Sequence, residues 1–192
     1  MSYTLEIQKI KLERSELNDQ GFALRQFVPD DLLQVIEINR ICLPENYNST
    51  FFLDIHRNCP EAFIVAEVNG KVVGYIMCRL EHGLSETRRF NFVKKGHIVS
   101  VAVLPEYRRA GIGSALVTEA LKGLSKHKAG ECFLEVRVTN EPAINLYKKL
   151  GFSVARKVSH YYFDGADAYV MSFRIPQKAA TLVEEGYADL LK

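Results

Sequence analysis

The sequence predicts an α/β (α+β) domain, a central mixed and mostly antiparallel sheet with helices packed against it. Three observations lead there. Strand-like and helix-like runs follow one another in the order β-α-α-β-β-β-α-β-α-β-β. Two strand–helix–strand crossovers require local parallel pairing, and turn residues between other strands require antiparallel hairpins. The chain of 192 residues is also long enough for one domain with a sizeable core.

In chain order, residues 22–28 read as the first strand. Pro29 and Asp30 start a helix with Asp30 at its N-cap. Leu32, Val35, Ile36 and Leu43 give that helix an apolar face, and it ends near Cys42. Residues 43–47 form a loop and 50–58 a second helix. Residues 62–68 and 72–80 make the clearest hairpin, because Asn69-Gly70 is the preferred pair for a type I′ turn. Residues 81–95 are polar and read as a long loop.

The organising stretch follows. Residues 97–104 are almost continuously apolar and rich in β-branched side chains, which fits a strand buried on both faces. Pro105 ends it, having no N–H for a ladder. Ile112, Ala115, Leu116 and Ala120 then recur at helical spacing, with Lys122, Lys126 and Lys128 toward the C-terminus. Between strand and helix lies Arg108-Arg109-Ala110-Gly111-Ile112-Gly113. The first N–H groups of a helix lack internal partners, and the helix dipole adds positive charge there. Glycines admit a ligand close to the backbone, and two arginines add formal charge. This is the chemistry of a pyrophosphate cradle. A dinucleotide loop fits poorly, since the third glycine of G-x-G-x-x-G is missing and Glu131 precedes its strand.

Residues 132–138 are another strand. Asn140 caps a helix with Glu141 and Pro142 in its first turn, the stripe Ala143, Leu146, Tyr147 and Leu150, and Gly151 at its end. Residues 152–159 and 169–175 are the last strands, joined through the aromatic turn 161–165. Residues 1–20 suit a helix, an edge strand or a mobile arm alike, and 181–191 suit a surface helix. The expected organisation is an arm over 1–20, a domain over 21–176 and a helical extension over 177–192.

Composition narrows the function. A net charge of +2 gives no global field for nucleic acid. Four cysteines, Cys42, Cys59, Cys78 and Cys132, stand far apart without a C-x-x-C, as buried reduced thiols do. Residues 1–20 lack the apolar core of a signal peptide, and no run is long enough to span a membrane. The expectation is a soluble, cytoplasmic protein.

Residues 101–113, Val-Ala-Val-Leu-Pro-Glu-Tyr-Arg-Arg-Ala-Gly-Ile-Gly, resemble the coenzyme A signature of the GNAT superfamily of N-acyltransferases. Residues 140–152, Asn-Glu-Pro-Ala-Ile-Asn-Leu-Tyr-Lys-Lys-Leu-Gly-Phe, are similar to its second signature. A narrower resemblance spans residues 22–175. Residues 43–47, 96–100 and 134–138 and the Tyr161-Tyr162 turn look like protein N-terminal acetyltransferases of the archaeal type, related to RimI and to the catalytic subunit of the major eukaryotic enzyme.

The resemblance implies a GNAT fold in which two central parallel strands splay around the pantetheine arm of acetyl-CoA. Main-chain groups of Val101, Ala102 and Val103 would bind that arm. Arg108, Arg109, Ala110, Gly111, Ile112, Gly113 and Ser114 would hold the pyrophosphate, and Asn140, Tyr147 and Lys149 would also meet the coenzyme. Leu43, Glu45, Tyr47, Val101, Tyr161 and Tyr162 would line the groove for a protein or peptide N-terminus.

The implied reaction is direct attack of an α-amine on the thioester. Such an amine titrates near pH 8, so about a tenth is neutral at pH 7 and the base needs only modest strength. Glu135 is the first candidate base, against pairing with Arg137 or a lysine. His97 is the second, against a structural role, and the two are expected to share one water. His97 and Glu135 could also bind a stray divalent cation, but two ligands are too few to define a metal site. Tyr147 is the candidate acid for the thiolate, against plain core packing. Glu45 would orient or deprotonate the ammonium group, against a solvated loop carboxylate. A lysine or small-amine acetyltransferase, and a non-catalytic acetyl-CoA-binding subunit, are the alternatives. Expected partners are nascent chains or the ribosome, with no nucleic acid or membrane, in a monomer or weak homodimer.

Overall fold

The computed structural model describes residues 21–87 and 91–176. The expected N-terminal arm and C-terminal helix lie outside them. Seven strands form one sheet, in the order β1-β2-β3-β4-β5-β7-β6. These are β1 (Ala23–Gln26), β2 (Phe63–Val68), β3 (Lys71–Leu84), β4 (Phe92–Val103), β5 (Glu131–Arg137), β6 (Ser153–Val158) and β7 (Ala168–Arg174). Helices α1 (Leu32–Cys42) and α2 (Ser49–Asn58) pack on one face, where Phe27, Val35, Ile38, Phe52, Phe63 and Tyr75 are buried. Helices α3 (Ile112–Lys126) and α4 (Glu141–Lys149) cover the other, with Leu116, Ala120, Leu124, Ile144 and Tyr147 in its core. The expected mixed, mostly antiparallel sheet is therefore present.

Several local expectations need correcting. The first helix is not capped by Asp30. A 3-10 turn over Pro29–Asp31 leads into it, and the buried Asp31 carboxylate accepts the Val28 N–H at 2.9 Å and pairs with Arg25 at 2.6 Å. Residues 81–84 and 92–95 are not loop. Strands β3 and β4 pair over them, with Glu81 opposite Lys95 and Leu84 opposite Phe92. Charged and small residues such as Glu81, His82, Gly83, Lys94 and Lys95 deny these strand ends the one-sided apolar alternation that marks a strand in sequence. Glu131 does not precede its strand but begins it, buried, accepting from Ser85, Thr87 and the Glu86 N–H. The Asn69-Gly70 turn is as expected, both residues at positive φ (50° and 79°).

Strand β4 packs on both faces, as expected, but its side chains change sides partway along. Its register on β3 shifts at one point, Met77 facing Ser100 and Cys78 facing Ile98, so Val99 is an extra residue. Before the bulge, Gly96 and Ile98 point to α3, which leaves His97 toward the α1–α2 side. After it, Val101 and Val103 pack on the α3–α4 side and Ala102 on the other. At the same place β4 leaves β5. Their parallel pairing stops at Lys95–Glu131, Gly96–Cys132 and His97–Phe133, while β5 stays paired to β7 along its whole length. The expected splay is thus an unpaired seam between residues 98–103 and 134–137.

Candidate active site

The seam places its two chemical ends on opposite faces. Successive residues of β5 alternate, so Cys132, Leu134 and Val136 join the α3–α4 core while Glu131, Phe133, Glu135 and Arg137 face the other way. His97 lies flat on Phe133, rings 4.5 Å apart and 7° from parallel, and Lys95 sits over the other part of the stack at 4.3 Å. His97 Nε2 and Glu135 Oε2 are 2.7 Å apart, both side chains largely buried. They bond directly, so the strands do bring the two candidate bases together. Glu135 does not pair with Arg137. His97 Nδ1 is buried and makes no hydrogen bond within the protein.

Burial pushes the Glu135 carboxyl up, but it is outweighed. The hydrogen bond and charge of His97, then Arg156 and the Tyr161 hydroxyl, hold it below its ordinary value. The same carboxylate and burial push the Tyr161 hydroxyl up to about 12.

On the α3–α4 side stands Tyr147, buried and tilted against Phe152 at 5.7 Å. Burial, with Cys132 and Cys78 close by, raises its hydroxyl well above the ordinary phenol value. It belongs to the packed core and borders the seam at once. The core packing weighed against an acid role is what the structure shows directly.

The loop after β4 has the expected cradle geometry. Arg109 (φ 66°) and Gly111 (φ 80°) are both left-handed, and Gly111 is the N-cap of α3. The first backbone bond into α3 is Ala115 N–H to Gly111 O at 3.0 Å. The amides of Ile112, Gly113 and Ser114 therefore have no partner one turn back. Arg109 and Ala110 are exposed beside them. Arg108 is partly committed elsewhere, since its Nε donates to Val103 O at 2.9 Å. Asn140 Oδ1 caps α4 by accepting the Ala143 N–H at 3.3 Å, and Lys149 is exposed at the far end of that helix. Open amides at a helix start, left-handed residues and a free arginine fit a diphosphate.

The groove on the α1–α2 side gathers the remaining candidates. Glu45 is not a free loop carboxylate, because it accepts from Arg137 at 2.8 Å. Arg137 also holds Asp164 at 2.6 Å and lies 4.0 Å over the Tyr162 ring. It ties the loop after α1 to the turn before β7. Tyr47 stacks on Phe51 at 4.6 Å, and Tyr161 meets Tyr162 edge-on at 5.0 Å. Leu43 is half-buried against the α1–α2 core. Val101 is the exception, its side chain packing on the α3–α4 side.

Three features escaped the sequence reading. Arg137 entered only as a possible partner of Glu135. The buried chain Asn39–Tyr75–Ser100, with bonds of 2.9 and 2.8 Å, anchors β4 just past the bulge. Lys95, Glu86 and Arg156 form an ion network above the Phe133 stack. None had a local signal, since each joins residues far apart in sequence.

A sheet opened along one parallel seam, an anion cradle at one end of it and a carboxylate–imidazole pair on one face define an acyl-transfer enzyme. Residues 32–152 match the acetyltransferase (GNAT) family. The chain belongs to that family and is an acetyltransferase. Its sequence is 54% identical over 153 residues to an N-alpha-acetyltransferase of Sulfurisphaera tokodaii, covering 79% of this chain and 92% of that protein. It is 36% identical to the N-terminal acetyltransferase A complex catalytic subunit NAA10 of Arabidopsis thaliana, over 78% of this chain and 76% of the other. Among solved structures, Arabidopsis thaliana Naa50 with the bisubstrate analogue CoA-Ac-MVNAL superposes with a TM-score of 0.69 at 32% identity, over 80% and 98% of the two chains.

Proposed function

We infer that this chain is an acetyl-CoA-dependent N-terminal acetyltransferase. It transfers acetyl to the α-amine of protein or peptide N-termini by direct attack. The observation that supports the reading is that the His97–Glu135 pair and Tyr147 stand on opposite faces of one open seam. Acetyl-CoA supplies the thioester, its diphosphate held by residues 109–114 and its arm by the main chain of Val101, Ala102 and Val103. An amine entering from the α1–α2 side meets Glu135 and His97, and the thiolate is left beside Tyr147.

The chemistry is balanced. A C–N bond forms, the C–S bond breaks, and the amine proton passes to the Glu135–His97 pair. Attack makes the nitrogen far more acidic than a free ammonium, so a carboxylate below its ordinary range suffices as base. Tyr147 acts differently from the expected proton donor. A phenol held above 10 does not hand its proton outright to a thiolate whose acid form titrates near 8.5. It donates a hydrogen bond that stabilises the leaving group. Glu45, fixed by Arg137, orients the ammonium end at the groove mouth, and Tyr47, Tyr161 and Tyr162 wall the peptide. Four free thiols suit a reducing, cytoplasmic setting.

The test compares peptides with free α-amines against the same peptides Nα-blocked and carrying one lysine. Acetylation confined to the free termini is expected. Faster transfer to the lysine, an amine far more protonated at neutral pH, would overturn the reading.

A further inference from the structure

At the end of α3 remote from the coenzyme loop, three side chains of different chemistry converge. Cys59 follows α2, Glu61 sits in the 3-10 turn Pro60–Ala62, and His127 is the C-cap of α3. Their Sγ, carboxylate and imidazole donor atoms all lie within 4.8 Å of one another. Among the described residues no other trio of His, Cys, Asp or Glu gathers this closely. Fifteen helical residues at 1.5 Å each put this cluster about 22 Å from the diphosphate cradle. It takes no part in the transfer reaction.

We propose that Cys59, Glu61 and His127 form a binding site for one zinc ion, with a water completing a tetrahedron. Donor type supports the choice, since thiolate, imidazole and carboxylate together suit this borderline-soft ion rather than magnesium or calcium. Geometry supports it too. A tetrahedral ion with bonds of about 2.0–2.3 Å needs ligand atoms about 3.3–3.6 Å apart. The present His127 Nε2 to Glu61 Oε2 separation is 2.7 Å, so a small side-chain rotation opens the space.

The backbone holds the ligands ready. Gly123 packs against the turn so closely that a Cβ there would stand 2.0 Å from Glu61 O. That contact sets the last turn of α3, and with it His127, beside Glu61. Cys59 is fully buried while the other two side chains are about one-third exposed, which leaves a path for the ion from solvent. Binding displaces the thiol proton to solvent, and a thiolate and a carboxylate then balance the 2+ charge. The bound ion would clamp the segment before β2 to the helix that carries the cradle.

Cobalt(II) is the probe. Metal-freed protein titrated with cobalt is expected to bind one equivalent and to develop thiolate-to-metal charge-transfer absorption in the near ultraviolet, which zinc abolishes. Cys59→Ser should lose the band, and Cys42→Ser should keep it. His127→Gln, on the surface, should weaken binding at least tenfold, and keeps the test available if Cys59→Ser fails to fold. Zinc should raise the melting temperature of the parent protein but not of His127→Gln. Absence of a thiolate band in the parent protein, or an undiminished band in His127→Gln, would overturn the proposal.

Discussion

His97 Nε2, on the last paired rung before β4 and β5 part, meets Glu135 Oε2, the next outward-facing residue of β5, at 2.7 Å. Because each depends on the other, the two should fail together. Glu135→Gln is expected to lower kcat on a free-amine peptide by about 10²-fold or more, with acetyl-CoA affinity unchanged within about twofold. Combining it with His97→Asn should cost little beyond the worse single change. Steady-state kinetics with calorimetric acetyl-CoA titration checks both.

Acidity should act through Glu135 in a definite direction. Its folded value lies below the ordinary carboxylate value, so it stabilises the fold above about pH 4.3, and that contribution is lost as pH falls through the folded value. Denaturant melts of the parent protein and Glu135→Gln should therefore converge at low pH. Activity should rise with pH toward 8 as the peptide amine loses its proton. Tyr161, pushed up to about 12, stays protonated and keeps its bond to Glu135 over that range. A loss of activity near pH 10 in the parent protein would contradict this arrangement.

Tyr147→Phe removes a hydroxyl from the coenzyme side while keeping the ring against Phe152. Turnover should fall about tenfold to 10²-fold, stability should change little, and acetyl-CoA binding should hold. The deficit should shrink with an acetyl donor whose leaving group is already a stable anion. An equal deficit with such a donor would remove Tyr147 from thiolate stabilisation.

Arg137→Lys tests the groove. A lysine cannot grip Glu45 and Asp164 together while stacking on Tyr162. KM for peptide should rise about fivefold to tenfold with kcat for saturating peptide nearly kept. The coupling between Glu45→Ala and Arg137→Ala, both partly exposed, should be only about 0.5–1 kcal/mol in a double-mutant cycle on peptide binding.

Much of this molecule is legible in its sequence. The seven strands and four helices fall in the expected order because turns, caps and periodicity are local signals. The cradle is legible for the same reason, as Gly111 must take a left-handed φ beside a helix start. The strand ends over 81–84 and 92–95 are not, because their charged and small side chains carry no apolar alternation. Arg137 is not legible either, since its partners lie 92 and 27 residues away. The bulge hides inside an apolar run where either face would accept each residue.

Tyr75 shows what such hidden contacts are worth. Its hydroxyl serves Asn39 and Ser100 in the buried layer. Tyr75→Phe leaves both without that partner and should cost about 1–3 kcal/mol in chemical denaturation.

Val99 sets the parity of everything after it. One added residue makes odd-numbered side chains change sides midway along β4, so His97 faces the α1–α2 side while Val101 and Val103 face the α3–α4 side. The same residue keeps the rest of the strand from zipping to its neighbour. Removing it would restore plain alternation, with Ser100 still turned to Tyr75, and let the sheet heal over the seam.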